Sequence, residues 1–586
     1  MLISIALAGL FFAQEPAAPA PLAPVHLPPS GCVAYAQWRD PARTVGTFAE
    51  HEVLTPLLAQ LVTTMRAENP DVEKLVTFLG THFEDSASAE LARLAGDGLA
   101  LWVTIEQEQQ PGVTFALVSN DAATGEMRRA ALFGAVEAFV EAPGALATPT
   151  ETFATGDLWV LDESLFVFAT PTNLYVSTAR RPLEPFIEPK RTARGRRALE
   201  RLVAAHTARA ADQDMWVWLD MGALTTVATM SGAAADSGEP LSNVVKLIEL
   251  ARDPQAQSLL GPGVCNLADG ASWSLGIAAH GLDVDVTLAS DELASQPPTL
   301  PRTSAPAPLA TGGHNVAHAV LHRDFATLLR ERESLFAAQD LGDVAQQIAQ
   351  IELLLGGLSL EEDVLPHLSP WMEVTSRTLT FANSPRPEMQ LPAAALIVRV
   401  EDAPNLGQQL DAAFQSIVAI GNIERTQSGQ PGMIMQLGRD GDQTWTTAKY
   451  FAPGEGDPID AKFNLMPAAA LVGDHWVIAT HEELLIDLFD ELRAGAAPTT
   501  GTSAGARVER LAIDGPLLAE LGRPQLDALA LANALNEGKT REQAREDMEG
   551  LVWLLERTRA VGTLTYEENA IAVRLALSFE DVGGPR

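Results

Sequence analysis

The feature that most constrains this chain is that it is written twice. GCVAYAQWRDPARTV at 31–45 aligns with NVAHAVLHRDFATLL at 315–329, which places Arg39 and Asp40 on Arg323 and Asp324. Four further blocks recur in the same order. VTFALVSNDAATGEMRRAALFGAVEAFV matches PAAALIVRVEDAPNLGQQLDAAFQSIV, and LFVFATPTNLYVSTARRPLEPFI matches AAALVGDHWVIATHEELLIDLF, with Tyr175 and Val176 on Trp476 and Val477. MWVWLDMGAL matches ERLAIDGPLL, with Asp220 on Asp514, and GLDVDVTLASDE matches AIAVRLALSFED. Amphipathic strands resemble one another cheaply, but five blocks in one order imply a duplication. The 586 residues also exceed the roughly 250–300 that one hydrophobic core serves. Between the copies lies ASQPPTLPRTSAPAPLATGG at 294–313, whose Pro, Ser, Thr and Gly content reads as a linker. The expected organisation is a first repeat at 30–293 and a second at 314–582.

Each copy reads as α+β. In GLDVDVTLAS, Leu282, Val284, Val286 and Leu288 share one face and Asp283, Asp285 and Thr287 the other, the period-two pattern of an antiparallel strand with one buried side. Thr172-Asn173 and Gly473-Asp474 read as hairpin turns between apolar runs. The wider helical period appears in MRRAALFGAVEAFV and again across 410–418. Longer helical stretches are expected at 324–355 and at 524–559, the latter interrupted at Asn536-Glu537-Gly538. Strands joined by tight turns, with helices between hairpins, give two divergent copies of an antiparallel-sheet-plus-helices unit.

The chain opens MLISIALAGLFFAQEPAAPAPLAP. Its apolar run is too short for a bilayer, which takes about 20 residues, and fits a signal peptide at 1–13 followed by a Pro/Ala-rich tether at 14–29. No Lys or Arg precedes the run, and Phe11 is large for the −3 position of a cleavage site. No later segment has 18 uninterrupted apolar residues, so the expectation is an exported, periplasmic or extracellular chain with no transmembrane span after cleavage. With 76 acidic against 40 basic residues, the net charge of −36 repels phosphate backbones and anionic lipid and excludes nucleic acid as a natural partner.

Motifs that carry chemistry are scarce. There is no phosphate-cradling Gly-rich loop, no HExxH and no SxxK. Gly501-Thr502-Ser503-Ala504-Gly505 matches a nucleophile elbow in letters, but AGAAPTT before it reads as a loop where an elbow needs a strand. His314, His318 and His322 would line one face of a helix and invite a metal. The repeat places them on a strand, where four residues span roughly 13 Å, too far for two imidazoles to share an ion, and it aligns them with Ser30, Ala34 and Trp38. Cys265 with His280 reads as a turn-like thiol beside a hairpin and not as a nucleophile and its base. Cys32 and Cys265 are the two cysteines, and whether they pair is open. Asp440-Gly441-Asp442, Glu455-Gly456-Asp457 and Glu361-Glu362-Asp363 read as solvated turns or a helix start, since none extends to a calcium-binding loop. Trp102, Trp159, Trp216, Trp218 and Trp476 read as core, although Trp216 and Trp218 share a strand face that can stack a sugar. The sequence therefore assigns no catalytic, cofactor-binding or metal residue and no cofactor.

The opening VHLPPSGCVAYAQWRDPARTV and the later FNLMPAAALVGDHWVIATHEELLIDLF carry a resemblance. In the second, Pro467, Gly473, Asp474, Trp476, Ala479 and Thr480 form a P-x-x-A-hydrophobic-x-G-D hairpin pattern. The chain resembles exported bacterial proteins of the domain-of-unknown-function 3352 type across nearly all of 25–581, and departs from the pattern in its first copy, where Thr172-Asn173 stands for Gly473-Asp474. That family has no established catalytic residues, so the resemblance implies export and nothing sharper. Three readings follow: a non-enzymatic cell-envelope binding or scaffold module, a carrier of a lipid or other apolar ligand, and a periplasmic or extracellular hydrolase. The first is favoured, with an unidentified protein or apolar ligand as partner.

Overall fold

The structure is a computed structural model of the full chain. It describes residues 32–38, 98–104, 112–119, 122–139, 142–161, 165–187, 215–219, 271–278, 281–289, 301, 304–310, 312, 314–335, 341–454, 459–494, 507–566 and 570–579. By contact density the chain divides into two units, 1–251 with 266–291, and 252–265 with 292–586. Each is described by itself.

The strands of the first unit are β1 (Cys32–Trp38), β2 (Leu99–Thr104), β3 (Gly112–Val118), β4 (Glu151–Phe153), β5 (Gly156–Leu161), β6 (Leu165–Ala169), β7 (Asn173–Ser177), β8 (Met215–Leu219), β9 (Ala271–Ala278) and β10 (Gly281–Ala289). They pair antiparallel throughout in the order β4-β5-β6-β7-β3-β2-β1-β8-β9-β10. The strands of the second are β11 (Asn315–His322), β12 (Leu368–Arg377), β13 (Ala393–Val400), β14 (Ile434–Asp440), β15 (Gln443–Lys449), β16 (Ala468–Val472), β17 (His475–Ala479), β18 (Val508–Asp514), β19 (Thr558–Tyr566) and β20 (Ala570–Phe579). Their antiparallel order is β14-β15-β16-β17-β13-β12-β11-β18-β19-β20. The two orders are the same once the second set is counted from its own first strand. The duplication read from the sequence is therefore a duplication of topology.

Register carries the equivalence residue by residue. In the first unit Tyr35 faces Trp102, Trp102 faces Thr114 and Thr114 faces Ser177. In the second His318 faces Thr375, Thr375 faces Ala395 and Ala395 faces Ala479. A bulge interrupts β1–β2 between Cys32 and Ala34, and another interrupts β11–β12 between Asn315 and Ala317, both 283 positions on. Even single hydrogen bonds repeat. Val113 N donates to Thr178 Oγ1 at 2.9 Å, and Ala394 N donates to Thr480 Oγ1 at 2.9 Å. This register corrects the sequence alignment by one residue in two strands: Tyr35, not Ala34, stands where His318 does, and Ser177 stands on Ala479. Short apolar strands fix their face but leave a one-residue slip to be decided by the bulge and the turn. The hairpin turn of the first unit is likewise Pro171-Thr172, since Asn173 already opens β7 and its carbonyl accepts from Thr170 N at 2.8 Å. Gly473-Asp474 is a turn as expected, with Gly473 at φ 63°.

The expectation that each sheet wets one side does not hold where the helices lie. In the first unit α1 (Ala122–Phe139) follows β3 and covers one face, packing Leu132, Phe133 and Val136 on Leu117, Trp159, Val167 and Leu174. The other face packs Ala100, Trp102, Leu158, Phe168 and Tyr175 against Phe186 and Ile187 of α2 (Glu184–Ile187). The second unit adds α3 (Phe325–Arg330), α4 (Arg332–Leu335) and α5 (Leu341–Leu354) after β11, where the sequence read one helical stretch. Asp324 caps α3 by accepting from Thr327 N. Next, α6 (Ala403–Gln427) covers one sheet face with Leu406, Leu410, Phe414 and Val418. The opposite face takes α7 (Glu482–Ala494), whose Leu484, Leu485 and Leu488 are wholly buried on Ala393, Ala395, Ile397, Ala470 and Val477. The small side chains of Ala393 and Ala395 on β13 and of Ala468 and Ala470 on β16 let the helix approach this face. Near the C-terminus come α8 (Gly515–Gly522), α9 (Leu526–Glu537) and α10 (Arg541–Leu555). Gly538, left-handed at φ 65°, ends α9, and a Thr540/Gln543 capping box starts α10. The expected helix to 559 stops earlier, because Thr558 already belongs to β19. Among the described residues no helix is long and apolar enough to cross a membrane.

Candidate functional site

The duplication makes a comparison that the sequence could not. On the α2 side of β1 and β2 the first unit places Cys32, Tyr35, Ala100 and Trp102, an apolar cluster in which Trp102 meets Tyr175 edge-on at 6.2 Å. The register-equivalent positions of the second unit are Asn315, His318, Glu373 and Thr375, with Arg377 standing on Thr104. One fold therefore carries an uncharged, largely apolar cluster in one copy and a charged network in the other.

The network is continuous. Glu373, 6% exposed, accepts from His318 Nε2 at 2.7 Å, from Ala310 N at 2.6 Å and from Leu309 N at 2.9 Å. Asn315 donates Nδ2 to the Ala310 carbonyl at 2.7 Å and accepts from Thr375 Oγ1 at 3.1 Å and Arg377 Nε at 2.6 Å. The Arg377 guanidinium closes a two-bond fork on Glu491 of α7, at 2.8 Å for each bond, and Glu491 accepts from Gly312 N at 3.2 Å. The C-terminal end of the Pro-rich segment is thus strapped to the second unit, with Ala310 fully buried in its core. A buried carboxylate is costly unless it is paired and hydrogen-bonded, and the strap amides, which lie outside any helix or strand, supply that pairing. Beside the fork, burial and the neighbouring Glu483 hold Asp487 above the usual carboxylate range.

Glu509 and His481 are among the other buried polar groups of the second unit. Glu509, 3% exposed, accepts from Arg323 Nη1 at 3.0 Å and from Tyr566 Oη at 2.5 Å. His481, 1% exposed, sits 3.4 Å from Ser384 Oγ through Nε2 and accepts from Glu483 N at 3.1 Å through Nδ1. Burial holds this imidazole below its usual range. With Nδ1 accepting, the proton of the neutral ring is on Nε2 and points at the serine, the reverse of what a general base needs. Glu483 also accepts from Thr380 N, Phe381 N and Ala382 N, a three-amide nest for which Phe381 adopts φ 56°.

Most residues singled out from the sequence are not gathered here. His314, His318 and His322 lie on or beside β11 as expected, but only His318 enters the network. His322 meets Trp371 edge-on at 4.9 Å, and burial pushes its pKa down to about 4. His314 is exposed. Among the described residues no group of three or more His, Cys, Asp or Glu side chains could hold a metal. Asp440-Gly441-Asp442 is the β14–β15 turn, and Glu361-Glu362-Asp363 forms a helical turn capped by Ser359. Cys32 is buried, with its thiol 3.2 Å from the Ala34 carbonyl. Trp102 and Trp159 are core, and Trp476 packs beneath α6. Trp216 and Trp218 pair with Gln37 and Tyr35 on β1, and their side chains lie outside the described residues. So do Gly501-Thr502-Ser503-Ala504-Gly505, Cys265, His280 and Glu455-Gly456-Asp457. Sequence reasoning missed Glu373, Arg377 and Glu491. The available signal was charge at the inward parity of WMEVTSR, where Trp371, Glu373, Thr375 and Arg377 alternate. Comparisons with protein-family models, with curated proteins and with solved structures found no match for this chain.

Proposed function

We propose that the chain is an exported, non-enzymatic scaffold or binding module of the cell envelope, in which a duplicated unit presents surface and the interior serves only to hold it. The observation that carries this reading is the direct seating of α7 on the sheet. Leu484, Leu485 and Leu488 fill the layer above Ala393, Ala395 and Ile397. An apolar carrier would use that layer for its ligand, since helix-over-sheet space is where a pocket of a few hundred Å3 would form. Four acidic groups of the second unit point the same way. Glu373, Glu491, Glu509 and Glu483 are each engaged by the chain's own amides, guanidinium or hydroxyl groups, which makes them struts.

Native mass spectrometry of the protein purified from its own host tests this. The expected spectrum shows the polypeptide, free or with a second polypeptide, at masses that leave no remainder. A stoichiometric lipid-sized remainder would replace the scaffold reading with the carrier.

A further inference from the structure

The two units share one strand order, so topology alone does not say which first strand belongs to which sheet. Many strands are assigned by their turns. β5–β6, β6–β7, β9–β10, β14–β15, β16–β17 and β19–β20 are joined directly, and a short loop delivers each strand to its own neighbour. β1 and β11 have no such help. β11 lies between β12 and β18, and the chain runs through 323–367 before it reaches β12. β1 lies between β2 and β8, and 39–98 precede β2. Misassembly between like units is a characteristic failure of repeat proteins. The choice between β1 and β11 therefore falls to side chains, and these two strands differ in kind on one face. Cys32, Tyr35 and Gln37 of β1 stand where Asn315, His318 and Val320 stand on β11.

We propose that the charged network is a sorting code, which selects β11 as the partner of β12 and keeps β1 out of the second sheet during folding. The register shows what an exchange costs. With β1 in the place of β11, Cys32 faces Arg377, Tyr35 faces Thr375 and Gln37 faces Glu373. Asn315 is then missing, and with it the acceptor for Arg377 Nε at 2.6 Å and Thr375 Oγ1 at 3.1 Å and the donor to the Ala310 carbonyl. Glu373 exchanges the His318 imidazole for a neutral amide. The reverse error puts His318 opposite Trp102 and buries an imidazole and a carboxamide among Trp102, Tyr175 and Phe186. It also removes the hydrogen bond from Tyr35 Oη to Gln37 Oε1. Each lost hydrogen bond to a charged group moves an equilibrium by at least about tenfold. Buried charged sets are weak sources of net stability, and their best attested use is to fix register and partner. One set is enough for two sheets, because a strand kept out of the wrong sheet is left for its own. The proposal does not rest on the cell-envelope reading, and either stands if the other falls.

Cross-linking after refolding of the full chain tests this, in a background where Cys32→Ala and Cys265→Ala remove the native thiols. A319C with V374C reports native pairing, since Ala319 faces Val374. A36C with V374C reports β1 on β12, since Ala36 stands where Ala319 does. Both reporters lie on the face turned away from the network, by strand alternation. Each chain is refolded from urea, unfolded molecules are removed by a protease pulse, and a short thiol-to-thiol cross-linker is read by peptide mass spectrometry. The link formed by chains that were never unfolded is subtracted as the baseline. With the network intact, the β1–β12 link is expected to be at least about tenfold rarer than the native one. His318→Tyr with Glu373→Ala, which gives the second sheet the first unit's residues at two positions, is expected to raise it by at least about tenfold. Glu373→Gln keeps the shape and removes the charge. It is expected to raise the link by a smaller factor, and it carries the test if the double variant leaves no folded chains. A β1–β12 link as common as the native one with the network intact, or one that neither variant raises, overturns the proposal.

Discussion

Glu373→Ala is the sharpest perturbation of the polar network. The substitution removes one acceptor from three donors: Leu309 N, Ala310 N and His318 Nε2. Hydrogen bonds to a charged group contribute about 1.5–3 kcal/mol each, and a buried donor left without an acceptor costs a further 1–3. The imidazole is partly exposed and recovers water, so the loss is carried by the two amides. That places the destabilisation of the strap at about 3–5 kcal/mol. Amide hydrogen exchange of the 309–312 segment reads it directly. At 1.4 kcal/mol per decade, 3 kcal/mol means exchange faster by at least about a hundredfold. Glu373→Gln keeps a carbonyl acceptor and is expected to lose about 1 kcal/mol. If Glu373→Ala leaves exchange within about threefold of wild type, the strap is not held by this carboxylate and the reasoning is wrong.

The mirror experiment is Ala100→Glu, which puts the same carboxylate among Cys32, Tyr35 and Trp102, where no amide strap is described; it is expected to cost at least 4 kcal/mol by urea titration. Leu485→Ala removes a fully buried side chain between α7 and the sheet and is expected to cost about 2–5 kcal/mol in the same titration. His322 titrates near 4 in the folded chain against 6.5 unfolded, so its contribution is present above pH 6.5 and is lost as pH falls toward 4. The difference between wild type and His322→Phe is therefore expected to change by on the order of 3 kcal/mol across that window, and a difference that stays flat would contradict the burial of this ring. Thr540→Ala breaks the capping box of α10 and is expected to cost about 1 kcal/mol by thermal melt.

How much was legible follows from which forces act locally. The turn at Gly473-Asp474, the helix break at Gly538 and the order of the five repeated blocks are local, and the fold follows them. The register of β1 against β11 was misread by one residue because bulge position is a two-strand property. The coverage of both faces was missed because alanine reads as neutral in an alternation, whereas Ala393, Ala395 and Ala470 are small in order to admit α7. The network at Glu373 and Arg377 was illegible for a different reason. Its acceptors and donors come from residues 63 and 114 positions away in Ala310 and Glu491, separations that no motif spans.

The central claim is that one topology was used twice and filled differently. A crystal structure of the full chain measures it most directly, through the hydrogen bonds of Thr178 and Thr480 and the side chains around them. Thr178 Oγ1 should accept from Val113 N as Thr480 Oγ1 does from Ala394 N, with Tyr35 facing Trp102 where His318 faces Thr375. Sheets whose strand orders differ, or a first unit with a charged pair between β1 and β2, would contradict it.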